Sequence, residues 1–296
     1  MEQTNRIVVP IGKPGYKISP DEVIKFMKEL PPFPRVAMKA LDILSQPDFD
    51  MKELASIVNL DQGITANVLR VCNSPYYSFV RRISSVSQAI AYLGTAQLKE
   101  IVLASGLKKV FLKRNLSASQ YRFYLWQHSL YCAIMSQVIT KKLRPRTDFT
   151  IYTAALLHDV GRLLLDEYDP TLLGAIIEFS ITNEKSILET ERIILGVNHS
   201  ELGARLVDEW SFPDEIMQGI KYHHDPLASS EPEITLTISL ANVLSHYIDP
   251  LVPQSTGNST PLEEAAARLG FNKRGLEELF AEFFKQYERV EALMRE

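Results

Sequence analysis

The chain has 296 residues, 46% of them hydrophobic and 23% charged, with a formal net charge of -4 at neutral pH. That length and balance suit one large globular domain or two moderate ones with a sizeable core, and the mildly acidic charge excludes a strong pull toward nucleic acid or an anionic membrane surface. Cys72 and Cys132 lie far apart and outside any Cys-x-x-Cys pattern, no run approaches the ~20 apolar residues of a membrane helix, and the N-terminus lacks a signal-peptide layout; the expected setting is a reducing cytoplasm, without disulfides or a zinc ribbon.

Helical signals dominate in chain order. Ser19-Pro20-Asp21-Glu22 reads as a capping box with proline at the first helical position, leading into VIKFMKEL. Pro31, Pro32 and Pro34 break the chain before a second helix, VAMKALDILSQ. Asp50-Met51-Lys52-Glu53 predicts a capping box for MKELASIVNL, and Ile64 to Val71 a helix that ends at Asn73-Ser74-Pro75. Ser85 with Gln88 opens SQAIAYL, Gly94 closes it, and Thr95 starts AQLKEIVLASGLKKVF. No strand alternation stands out. The expected fold class is all-α: an N-terminal extension over 1–19, a helical N-terminal lobe over 20–118, a second helical domain over 119–250, and a linker with C-terminal helices over 251–296.

The second half predicts helices at YRFYLWQHSLYCAIMSQVITKKL, DFTIYTAALLHDV, around TLLGAIIEFS, and at HSELGARLVDEW, DEIMQGIKYHH and EITLTISLANVLSHYI. Asp249 to Pro261 reads as a loop from its Pro, Ser, Thr and Gly content. The tail from Lys273 to Glu296 reads as one long amphipathic helix. Its apolar positions Leu276, Leu279, Phe280, Phe283 and Phe284 either pack on the domain or form a homodimer surface.

All six histidines fall between positions 128 and 246. His158-Asp159 ends an apolar run, where polar groups are costly unless satisfied. His199 follows Asn198, a good N-cap with Glu201 three residues on, and is expected to point out from the first turn of its helix. His223-His224 is expected to close a helix, with the two rings about 100° apart and free to serve different metals, or a metal and a substrate. Imidazoles with a carboxylate suit Fe, Mn or Zn better than Ca or Mg.

His128, LLHDVGR and GVNHSELGARLVDEWSFPDEIMQGIKYHH together resemble the HD superfamily of metal-dependent phosphohydrolases. LPPFPRVAMKALDIL, LASIVNLDQGITANVLRVCNSPYYSF and ISSVSQAIAYLGTAQLKEIVL narrow the resemblance to its HDOD branch, over about residues 20 to 225. The resemblance implies an HD-type helical domain carrying a lobe at its N-terminus, found in bacterial signalling proteins, in which many members have lost metal ligands and act by binding. It also implies a ligand set of His128, His158, Asp159 (as bridging carboxylate), His199, His223 and His224, for one or two divalent ions, Fe or Mn ahead of Zn.

Four departures bear on activity. Arg162 stands where the family's lysine follows the His-Asp pair; it can hold phosphate but is a poor proton donor. Asn242 falls where the family has its last metal-binding aspartate, with His246 one helical turn further on. Tyr124 replaces the glutamate of trinuclear members. Asp225-Pro226-Leu227 follows His224, where cyclic dinucleotide phosphodiesterases carry Gly-Tyr-Pro.

The resemblance thus implies a signal-transduction or regulatory protein that acts by binding a protein partner or a small phosphorylated ligand. The alternative is a phosphohydrolase in which Asp159 and Arg162 serve catalysis. A nucleic-acid partner, suggested by Arg81-Arg82, Lys108-Lys109, Lys113-Arg114 and the run from Lys141 to Arg146, is not expected, because such charges commonly sit at helix C-termini in solvent.

Overall fold

The computed structural model describes residues 20–27, 33–112, 119–144, 148–248 and 262–294, and no strand occurs among them. The first lobe is α1 (Pro20–Met27), α2 (Arg35–Leu44), α3 (Met51–Asn59), α4 (Gln62–Cys72) and α5 (Val86–Phe111). The second carries α6 (Ser119–Leu143), α7 (Phe149–Leu157), α8 (Val160–Tyr168), α9 (Leu172–Thr182), α10 (Ile187–Leu195), α11 (His199–Glu209), α12 (Asp214–Lys221), a 3-10 turn (Pro226–Ala228) and α13 (Pro232–Ile248). The chain closes with α14 (Leu262–Arg268), α15 (Lys273–Lys285) and α16 (Tyr287–Met294). No described helix is long and apolar enough to cross a membrane.

Local chemistry sets most helix starts. Ser85 accepts a hydrogen bond from the Gln88 backbone N–H, while the Gln88 side chain accepts one from the Ser84 N–H. Gly94, at φ +74, interrupts α5 where the sequence predicts one helix to stop and the next to begin; a side chain there would be strained in the left-handed region. The Asp50 box forms only in part: Asp50 accepts from the Lys52 N–H. Ser19, Lys113, Arg114, Arg146 and the linker from Asp249 to Pro261 lie outside the described residues.

In the first lobe α2, α3 and α4 pack on α5, which also touches α6 and α7 of the second lobe. α6 is the axis of the second lobe. Every residue from His128 to Thr140 is buried, between α13 on one side and α7 on another, the polar Ser129, Ser136, Gln137 and Thr140 included. Burial is equally unbroken from Ile151 through Asp166, so the junction of α7 and α8 lies at the centre of the protein.

The tail is not one long helix. It breaks at Gln286 into α15 and α16, and the two do different work. α15 buries Leu279 and Phe283 against α6, with the Phe283 ring 5.6 Å from that of Tyr131; full burial of such a phenyl group contributes about 2 kcal/mol. Phe284 stays exposed, and with Leu244, Tyr247, Leu276 and Phe280 it borders an apolar groove. α16 turns back onto α4, α5 and α6 and ties the two lobes together. Arg289 forms a buried ion pair with Glu100 of α5, and Lys108 donates to the Met294 carbonyl at 3.1 Å.

Several of the basic positions are likewise spent within the chain. Lys109 pairs with Asp61, Lys142 with Glu278 and Arg144 with Glu233.

Candidate metal centre

The centre forms where α8 and α11 cross. Gly161 in the first turn of α8 lies so close to α11 that a Cβ there would sit 1.9 Å from the His199 carbonyl oxygen and 2.9 Å from the Gly203 amide nitrogen. Two glycines facing each other let the helix backbones meet. The approach carries Asp159, just before α8, onto His199, the first residue of α11: Asp159 Oδ1 is 3.2 Å from His199 Nε2. His158 enters from the end of α7, His128 from α6, and His223 and His224 from the turn after α12.

All six of these residues are buried, as is Arg162. They divide into two groups whose potential ligand atoms lie within 4.8 Å of one another: His199, His223 and His224 in one, and His128, His158 and Asp159 in the other. Asp159 also reaches toward the first group, its Oδ1 lying 3.2 Å from His199 Nε2 and 4.0 Å from His223 Nε2. His199 points out from the first turn of α11, as its place after the Asn198 cap predicts, and the direction it takes is into the site. His223 and His224 follow α12 instead of closing it, and with ring centres 4.0 Å apart they share one group rather than serving separate ones.

The orientation of the rings is fixed from behind. His158 Nδ1–H donates to the Ala155 carbonyl at 2.8 Å, and His223 Nδ1–H to the Ile220 carbonyl at 2.7 Å. His199 Nδ1–H donates to Glu191 Oε2 at 2.7 Å, and the same oxygen accepts the His199 backbone N–H at 2.9 Å. In each case the proton is held on Nδ1, which leaves the Nε2 lone pair facing inward, the arrangement that hydrogen-bond acceptors behind the ring impose on metal-bound histidines. The Nε2 atoms of His158 and His223 are buried and have no hydrogen-bond partner, which is costly unless something else satisfies them.

The spacing also suits an ion. Two ligand atoms each about 2.1 Å from one metal stand roughly 3.0–3.4 Å apart when adjacent and about 4.2 Å apart when opposite. His199 Nε2 is 3.1 Å from His224 Nε2 and 3.2 Å from Asp159 Oδ1, while His223 Nε2 lies 4.0 Å across from that oxygen. The residues present therefore fit a divalent cation held by imidazoles and a carboxylate.

Electrostatics agree. Burial, then the neighbouring imidazoles, pushes His128, His223 and His224 well below the ordinary histidine range, so they stay neutral. His158 is also lowered, chiefly by burial. Burial opposes charge on His199, but Glu191 and Asp159 raise it above its ordinary value. Burial alone would raise Asp159, yet Arg162, His158 and His199 hold its carboxyl well below the usual range, so it is a carboxylate. Arg162 has its Nε 3.4 Å from Asp159 Oδ1 and hydrogen-bonds Tyr121. It braces Asp159 within the interior.

The sequence reading passed over Glu191, which sits on α10 behind His199. The signal was available: Ser186 and Glu189 form a full capping box at the start of α10, and a glutamate on the inner face of that helix calls for a partner. Glu191→Gln keeps the shape but replaces a charged acceptor with a neutral amide, which holds the His199 Nδ1–H more weakly. It is expected to weaken binding of Mn2+ by about 10–100-fold, measured by equilibrium dialysis; unchanged affinity would remove Glu191 from the site.

A pocket of about 280 Å³ opens beside the centre, bordered by Leu188, Arg192, Asn198, Ser200, Lys221 and His224. Of the cluster, His224 alone lines it. His246, one turn beyond Asn242, stacks on the His128 ring with centres 4.3 Å apart, and Asn242 Oδ1 is 2.9 Å from His128 Nε2.

Comparison with known proteins agrees with this architecture. The HDOD domain model matches residues 30–226. A Geobacter sulfurreducens HDOD domain protein of unknown function has a similar solved structure, with a TM-score of 0.72 and 24% identity, covering 93% of this chain and 96% of that one. A Shewanella amazonensis SB2B protein described as a candidate phosphohydrolase gives 0.71 and 20%, covering 92% and 96%. An uncharacterized protein of Treponema pallidum (strain Nichols) is 21% identical over 228 residues, 76% of this chain and 44% of that relative, so the chain spans less than half of its length.

Proposed function

Because this chain belongs to the HDOD domain family, we propose that it is a metal-binding regulatory module of bacterial signalling, whose output is the binding of a protein partner or a small phosphorylated ligand. The observation that carries this reading is the sealing of the cluster. Five histidines, Asp159 and Arg162 are all buried, and of these His224 is the one that borders the pocket beside the centre. An ion held there ties the α7–α8 junction, α11 and the turn after α12 to one point, so its arrival or loss bears on the packing of the second lobe. Fe or Mn suits the donor set, with Zn next.

The specific observation favouring hydrolysis is the pocket itself, in which Arg192 and Lys221 stand near His224. A bound metal would lower the pKa of a coordinated water and polarise a phosphate ester. Asp159 would hold the ion, and Arg162 would hold Asp159. Arg192, however, pairs with Glu201 at 2.9 Å, and Glu189 and Asp225 line the same pocket, so three carboxylates stand against two cations. The net charge there does not favour an anion.

The test is a panel of phosphomonoesters and phosphodiesters assayed with the Mn2+-loaded or Fe2+-loaded full chain. Rates equal to those of an Asp159→Asn chain are expected. Turnover that disappears in Asp159→Asn would decide for the enzyme.

A further inference from the structure

The two ligand groups are not equivalent, and the difference sets how many ions the chain can hold. In the first, the Nε2 lone pairs of His199 and His223 are aimed inward from fixed Nδ1–H donors, and His224 Nε2 and Asp159 Oδ1 stand within ligand spacing of them. In the second, His128 Nε2 is already bound to the Asn242 side chain at 2.9 Å. If the amide presents its oxygen, Nε2 carries the proton; if it presents its nitrogen, the Nε2 lone pair accepts from it. An amide is neutral and a weaker ligand than a carboxylate, so this half of the cluster lacks the second anionic ligand that a further dication would need. The His246 ring lies flat on His128, at 29° between planes, and hinders the ring from turning another nitrogen inward.

Geometry alone would still admit a second ion, since one atom each of His128, His158 and Asp159 converge. Charge argues against it. The carboxylates that face the cluster are Asp159 and Glu191, and Arg162 offsets one of them. Asp166 and Glu167, also on α8, are both taken by Arg122. Two dications would leave three uncompensated positive charges in a buried site, whereas one dication leaves one. Uncompensated buried charge is among the costliest arrangements in a protein interior, and a neutral Asn242 does nothing to relieve it.

We propose that the chain holds a single metal ion, between His199, His223, His224 and Asp159, and that the half built on His128 and His158, with the neutral Asn242 where a second carboxylate would stand, takes no second ion. The proposal rests on the metal-binding reading and specifies it.

The test is the metal content of the full chain, stripped with chelator, reloaded with Mn2+ under reducing conditions and desalted, with the Mn2+ electron paramagnetic resonance spectrum as a second readout. One ion per chain is expected, with the hyperfine pattern of an isolated ion. His128→Ala is expected to keep that ion, His224→Ala to lose it, and Asn242→Asp, which restores a carboxylate, to admit a second with an exchange-coupled spectrum. Two ions in the unaltered chain, loss of the ion in His128→Ala, or an Asn242→Asp chain still limited to one would each overturn the proposal while leaving metal binding intact. No ion at all would bring down the metal reading itself.

Discussion

A Gly161→Ala chain is expected to lose about 3 kcal/mol or more of stability, a fall of roughly 6–12 °C in the thermal midpoint. The added Cβ would stand 1.9 Å from the His199 carbonyl oxygen, and all three of its nearest neighbours are backbone atoms of α11. No side chain can swing aside, so the two helices must separate. Because the same crossing sets Asp159 against His199, the variant is also expected to bind Mn2+ more weakly. Two other glycines calibrate the result. At Gly203 the nearest atoms, the Ile220 side chain at 3.1 Å and the Gly161 amide nitrogen at 3.2 Å, stand well beyond 1.9 Å, so alanine there costs less. At Gly174 nothing lies within 4 Å, and alanine is expected to be neutral or to stabilise by up to ~1 kcal/mol through helix propensity. Thermal unfolding of the three variants ranks them, and a Gly161→Ala chain that melts with the parent would contradict the tight crossing.

The second large effect is expected at the tie between the lobes. Glu100→Ala should cost about 3–5 kcal/mol, since it strands the buried Arg289 guanidinium without its carboxylate. Arg289 lies on α16, and burial opposes its charge, while Glu100 raises its affinity for the proton above the ordinary arginine value. Replacing both partners with apolar residues of similar size, Glu100→Leu with Arg289→Met, should recover most of the loss, because no charge is then left buried. Chemical denaturation of the two single variants and the double one measures the coupling. A double variant as unstable as Glu100→Ala would mean that packing around α16, rather than the ion pair, carries the loss.

Both effects rest on contacts between residues distant in sequence, and such contacts mark where sequence reading stops. Local signals were legible. The Ser85–Gln88 cap, the break at Gly94 and the Asn198–Glu201 capping box all occur where the sequence places them. The histidines and Asp159 could be picked out because polar residues inside apolar runs are costly and because their pattern resembles a family. What the pattern lacked was distance. The 3.6-residue period does not show that Gly161 meets His199 or that Asn242 meets His128. Nor does it show that His223 and His224, adjacent in the chain, belong to one ligand group, because they leave the helix before the rings are placed. The tail read as one helix because its apolar spacing continues across Gln286, and only packing of α16 on α4 and α5 breaks it. Glu191 was missed with its helix, although the Ser186–Glu189 box that starts α10 was there to be read.

The central claim is that His199, His223, His224 and Asp159 form a binding site for a divalent ion in the folded chain. A ligand that binds only the folded state raises stability by RT ln(1 + [L]/Kd), about 2.7 kcal/mol at a hundred times Kd. The most direct measurement is therefore the thermal unfolding of the chelator-stripped full chain with and without excess Mn2+, alongside His224→Ala. A rise in midpoint of several degrees that is absent from the variant is the predicted result. No rise in the unaltered chain, or an equal rise in His224→Ala, would contradict it.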